Sequence, residues 1–217
     1  MMIMSDQADI VVAGGVENMS DYPYSIYGAR WGLRFGDARL LDDAVATLRH
    51  EETGLLAGNA AEFLAEKYNV SREEQDQFAF ESQAKAQRAI EAGVFKDEIL
   101  PLEIKVKKDV KIFDTDEHPH FNTKLESLAK LPPVFKVNGT VTAGNSCGMN
   151  DAAAALVLMS EEKARELGVA PLASIVSFAV GGVDPKYFGE APIIGVNKAL
   201  QRAGLVLDQI DLIECNE

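Results

Sequence analysis

The sequence predicts an α/β fold in which a layered sheet carries helices on both faces. Three observations lead there. Short apolar runs stand at 8–13, 154–159, 174–180 and 210–214, each of strand length and each bounded by turn or cap residues. Helical patterns at 161–167 and 192–203 alternate with them. Finally, 47% of the 217 residues are hydrophobic, an ordinary share for a globular protein, and the chain is long enough to bury a sizeable core as one large domain or two small ones. Apolar strands alternating with helices imply a mainly parallel sheet covered on both sides.

The run 8–13 reads as a buried strand stopped by Gly14-Gly15. Glu17, just beyond, reads as a carboxylate hydrogen-bonded to turn amides rather than as an acid–base group. From Asp21 to Arg39 the chain is rich in Tyr, Gly and Arg without periodicity, which suggests an ordered loop, either packed on a partner or a plain surface loop. Residues 56–68 have helical spacing, with Ala60, Phe63, Leu64 and Tyr68 on one face. Ser71 and Glu74 form a capping box opening a long amphipathic helix to about Ala92, closed by Gly93. Its core stripe is expected at Phe78, Ala79, Ser82, Ala86, Ala89 and Ile90. Residues 97–113 alternate apolar and charged residues, as an edge hairpin with a wet lysine face does. A short helix at 125–131 is ended by Pro132-Pro133. Ser160 caps the helix 161–167, which Gly168 stops, and Pro192 opens the helix that Gly204 stops.

Charge and cysteine usage exclude several classes. A net charge of −13 argues against non-specific nucleic-acid binding. It also requires that any anionic ligand be held by local donors. Cys147 and Cys215 make no disulfide framework, and a reducing cytoplasm is the expected compartment. No stretch reaches the roughly 18 apolar residues of a membrane helix, and the start has no basic region or apolar core of a signal peptide. The run Asp114 to His120 carries acids and two histidines, but its spacing matches no zinc pattern and Pro119 breaks any helical face, so no metal is expected. His50 and His118 read as surface or loop histidines.

The stretch 139–158, GTVTAGNSCGMNDAAAALVL, is the most informative. Thr140, Val141 and Thr142 favour a strand, Ala143 to Gly148 favour a turn, and Ala152 to Ala155 favour a helix start by composition. A strand turning through Gly and Asn into a helix offers backbone N–H groups and close approach to a ligand. The plainer alternative is a tight turn packed under a helix. Cys147, near that helix start, is a candidate nucleophile with a lowered thiol pKa, but no histidine is near it in sequence. Cys215 reads as core.

VTAGN-x-x-G-x-N-D-x-AAA at 141–155 and GG-x-E-x-MS at 14–20 resemble the thiolase family, acetyl-CoA acetyltransferases and 3-ketoacyl-CoA thiolases, and the resemblance runs along the whole chain. It implies an incomplete thiolase-like layered fold with an inserted α+β loop domain. The implied parts are 1–20, ending the N-terminal half; 21–140, the inserted domain for coenzyme A and oligomer contacts; 141–170, completing that half; and 171–217, opening the C-terminal half. It implies acetyl-CoA, acetoacetyl-CoA or a longer 3-oxoacyl-CoA as substrate, no further cofactor, and a homodimer or homotetramer in the full-length enzyme.

Residue roles implied by the resemblance follow position by position. Ala143 and Cys147 lie against the pantetheine, with Cys147 buried in the ligand wall where thiolases commonly have Ser. Ser127 is on the adenine side, and Leu48, Leu56, Ala57 and Phe188 line the ligand wall. His120 stands where thiolases carry an arginine near the nucleotide, and a neutral imidazole lacks the guanidinium fork. Glu214, Cys215, Asn216 and Glu217 resemble the start of the family's Asn-Glu-Ala-Phe motif, in which Asn216 would orient an oxyanion-hole water. The nucleophilic cysteine, the Gly-His-Pro histidine and the Cys-x-Gly cysteine of the family are absent from these residues. The chain alone is therefore expected to be an inactive fragment of an acyl-transferring enzyme. Alternatives are a non-catalytic coenzyme A-binding or assembly module, and one part of a split enzyme.

Overall fold

The computed structural model describes residues 1–216, and Glu217, with its place in the Asn-Glu motif, lies outside them. Two compact units emerge. The first joins 1–54 to 149–216, and the second comprises 55–148.

The first unit is built on β1 (Ile10–Glu17), paired antiparallel with β6 (Ala152–Met159) from Ile10 opposite Met159 to Glu17 opposite Ala152. Two expectations fail here. Gly14 and Gly15 do not stop the first strand, which continues to Glu17. The alanine run does not start a helix; it faces Gly14, Gly15 and Val16 across the ladder. A Cβ added at Gly14 would meet the Ala154 carbonyl oxygen at 2.5 Å, so small residues let the two backbones approach, and strand pairing overrides the helix propensity of alanine. Nor are these strands buried: Val12 is 71% exposed and Leu156 65%, because no layer covers either face of the ribbon among the described residues.

The Tyr- and Arg-rich stretch contains β2 (Tyr24–Ile26), paired antiparallel with β3 (Leu40–Asp42), which leads into α1 (Asp43–Thr47) capped by the Asp42 side chain. Helix α5 (Glu161–Leu167) starts at Ser160, whose hydroxyl accepts from the Lys163 amide, and ends at Gly168 with φ +67°. Helix α6 (Ala191–Ala203) ends at Gly204. The expected strands at 174–180 and 210–214 do not form. In place of a ladder, 174–180 is tied to α6: Arg202 donates to the Phe178 carbonyl at 2.6 Å and Ser177 donates to that of Ala199 at 2.7 Å. Among the described residues all three strand pairs are antiparallel, which corrects the expected mainly parallel sheet.

The second unit contains α2 (Ala57–Tyr68), α3 (Arg72–Glu91), the hairpin β4 (Leu102–Val106) and β5 (Asp109–Phe113), and α4 (Leu125–Leu128). The Ser71 capping box is complete: the Glu74 amide donates to Ser71 Oγ at 3.2 Å, and the Ser71 amide donates to Glu74 Oε2 at 2.7 Å. The Ser71 amide foremost, and then the Ser71 hydroxyl, which donates to Glu74 Oε2 at 2.8 Å, hold the Glu74 carboxyl below the usual carboxylate range. The expected stripe of α3 is half-buried at Ala79, Ser82, Ala86, Ala89 and Ile90; it departs from expectation at Phe78, which is 60% exposed, while the buried residue of the helix is Asp76.

Candidate functional site

The turn at 140–147 is fixed by side chains from α2 and α3. Glu62 of α2 is 3% exposed, and its carboxylate accepts from the Thr140 amide at 2.9 and 3.0 Å, the Thr140 hydroxyl at 3.1 Å and the Val141 amide at 2.9 Å. A buried carboxylate is tolerated when several donors replace its water. Gln75 of α3 donates to Thr140 Oγ1 at 2.9 Å. Thr142, fully buried, is reciprocally bonded to Asn145: its amide donates to Asn145 Oδ1 at 2.7 Å, and its hydroxyl accepts from the Gly144 and Asn145 amides at 3.2 and 3.3 Å. Ser146 donates to the Thr142 carbonyl at 2.7 Å. The result is a turn whose shape is set by its own polar side chains and by two helices.

An ion pair lies beneath it. Arg72 Nε donates to Asp76 Oδ2 at 2.8 Å across one helical turn, and Asp76 Oδ1 accepts from Asn145 Nδ2 at 2.9 Å. The Arg72 guanidinium also donates to the carbonyls of Leu128 and Leu131 at 2.7 and 3.0 Å. Against this end of α4 lies Gly144, where an added Cβ would stand 2.7 Å from Leu128 Cδ2. The Ala143 turn and the Ser127 helix are thus brought together in the second unit. His120 belongs to the same unit. Its amide donates to Gln83 of α3 at 2.9 Å, and its ring centroid lies 5.8 Å from that of His118. Helix α3 therefore serves the site through polar residues at helical spacing, Arg72, Asp76, Gln83 and Gln87.

Cys147 is exposed, not buried in a wall, and no helix follows it. Cys215 is likewise exposed rather than in the core. Leu48, 42% exposed, Phe188, 52% exposed, and Asn216 lie in the first unit. Leu56 and Ala57 begin α2 in the second. Within the first unit the two motifs, far apart in sequence, meet: the Ser20 amide donates to Asp151 Oδ1 at 2.8 Å. The Ser20 amide and then its hydroxyl hold the Asp151 carboxyl below its usual range. Glu17 accepts from the Asn18 amide at 3.1 Å and the Tyr22 hydroxyl at 3.0 Å, a turn-holding carboxylate as expected. Among the described residues no group of three His, Cys, Asp or Glu is placed to hold a metal, and no helix is long and apolar enough to cross a membrane.

Comparison with known proteins places this geometry in a family. The model of the thiolase N-terminal domain matches residues 1–162, and that of the thiolase C-terminal domain matches 169–217. The acetyl-CoA acetyltransferase of Syntrophomonas wolfei is 51% identical over 219 aligned residues, taking in 100% of this chain and 55% of the relative. The crystal structure of the Bacillus anthracis acetyl-CoA acetyltransferase superposes with a TM-score of 0.94 at 44% identity, covering 98% of this chain and 54% of that one. Human mitochondrial 3-ketoacyl-CoA thiolase, solved in complex with CoA, gives 0.91 at 42% identity over 97% of this chain and 53% of its own. The chain spans about half the length of the curated relatives it matches. By two matching domains and by close sequence and structural likeness throughout, this chain belongs to the thiolase family.

Proposed function

We propose that this chain carries one wall of a coenzyme A site from an acetyl-CoA acetyltransferase or 3-ketoacyl-CoA thiolase. In the whole enzyme it would serve ping-pong acyl transfer that forms or cleaves a 3-oxoacyl-CoA. The observation that supports this most is the turn at 140–147, fixed within the protein by the buried Glu62 and Asp76. Preorganisation lowers the entropic cost of binding. Ala143 and Cys147 face the pantetheine in this reading, the exposure of Cys147 leaving its thiol open to ligand. Ser127 and His120 serve the nucleotide end, Leu48 and Phe188 the ligand wall, and Asn216 the oxyanion-hole water. The stretch 21–39 makes oligomer contacts of a homodimer or homotetramer, and the compartment is the cytoplasm. The part boundaries follow the family's halves: 1–20, 21–140, 141–170 and 171–217.

These residues alone do not turn over, because the cysteine nucleophile and the histidine and cysteine acid–base groups of the family are not among them. Thiolysis of acetoacetyl-CoA by the purified chain, followed by loss of the substrate's enolate absorbance, tests this. No turnover is expected. Measurable turnover would assign chemistry to Cys147 or Cys215. Saturable ligand binding without turnover also suits a non-catalytic module or one part of a split enzyme. Restored activity on adding a chain that supplies the missing groups would favour the split enzyme.

A further inference from the structure

Arg72 and Asp76 touch two segments at once. The guanidinium holds the end of α4 through the carbonyls of Leu128 and Leu131, at 2.7 and 3.0 Å. The carboxylate accepts from Arg72 with one oxygen and from Asn145 of the turn with the other, at 2.8 and 2.9 Å. Asp76 is 2% exposed and the Arg72 side chain 20%, so the carboxylate end of this bridge is shielded from water. Each bond alone is an ordinary structural contact. Together they make one continuous path from the α4 backbone, through an ion pair, to the 140–147 turn.

We infer that Arg72 and Asp76 are positioning residues that set the spacing between the two segments engaging opposite ends of one extended ligand. The inference rests on the proposed coenzyme A reading, in which the turn meets the pantetheine and the Ser127 segment meets the adenine side. A planar guanidinium suits the role because its fork bonds two carbonyls and a carboxylate in a fixed geometry. Lysine retains the charge and cannot make all three contacts. The Asp76→Asn substitution turns either an amide group or a single acceptor toward Arg72 and breaks the charge pairing.

The test titrates coenzyme A, pantetheine and adenosine 3′,5′-bisphosphate separately into the full 217-residue chain and its R72K, D76N and double variants. Circular dichroism confirms that each variant is folded, and R72K, which keeps the cation, carries the comparison if D76N does not fold. Coenzyme A affinity is expected to fall about tenfold in each single variant, the scale of one lost charge-assisted bond. The double variant is expected to lose no more than either single one, since both break the same path. The two half-ligands should keep their affinities, because each needs only one segment. Unchanged coenzyme A affinity in folded variants would overturn the inference and leave the binding reading standing. Equal loss of all three ligands would overturn it too, marking a merely structural role. Failure of the unaltered chain to bind coenzyme A would bring down the underlying reading, and the inference with it.

Discussion

Replacing Glu62 with alanine is expected to destabilise the chain by about 2–4 kcal/mol. Its carboxylate accepts from the Thr140 and Val141 amides and the Thr140 hydroxyl inside a site where Glu62 is only 3% exposed. Truncation leaves two N–H donors beside a void, at about 1–3 kcal/mol for each unsatisfied group. Relief of the carboxylate's own desolvation offsets part of that loss. E62Q should cost roughly half as much, because its amide oxygen can still accept from both backbone donors while the amide nitrogen faces the Thr140 hydroxyl. Urea unfolding followed by circular dichroism measures both. Equal midpoints for E62A and the unaltered chain would show that the turn does not depend on this carboxylate.

The second large effect is expected at Gly139. A Cβ there would fall within contact distance of Glu62 Oε1, with Glu62 Cδ at 2.8 Å and Lys136 Cβ at 3.0 Å. Glu62 cannot swing aside without giving up its hydrogen bonds to Thr140 and Val141. G139A should therefore cost about 1–3 kcal/mol by overpacking, although the added methyl is small. In the E62A background the same methyl meets no carboxylate, and its cost should fall to the remaining squeeze against Lys136 Cβ, a non-additivity between neighbours. A double-mutant cycle by denaturant unfolding reads that coupling. Additive losses would mean that the two positions act independently.

Local signals were legible in the sequence wherever a few neighbouring residues determine the backbone. The Ser71–Glu74 capping box, the hairpin at 102–113 and the glycine stops at Gly93, Gly168 and Gly204 all have the local chemistry that forms them. The family, too, was carried by the motifs at 14–20 and 141–155. Long-range pairing was less visible. Ala152 to Ala155 favour a helix intrinsically, and it is pairing with Gly14 to Glu17 of β1 that makes them a strand. The runs 174–180 and 210–214 have strand composition, but no ladder partner among the described residues. Burial misled for a related reason: an apolar residue such as Val12 is core only where another layer covers it.

The polar scaffold of the site was hidden for the opposite reason. Glu62 and Asp76 look like solvated helix residues, since acids are seldom fully buried without partners. Those partners, Thr140, Val141 and Asn145, lie far along the chain. The one available signal was Arg72 four residues before Asp76, a spacing that pairs charges on a helix face without saying whether that face is wet.

Calorimetric titration of coenzyme A into the 217-residue chain, with E62A beside it, tests the central claim most directly. A preformed turn predicts saturable one-to-one binding by the unaltered chain and affinity weakened about tenfold or more in E62A, in line with the loss of at least one buried bond. A folded, unaltered chain that gives only heat of dilution, or an E62A variant that binds as tightly, would contradict it.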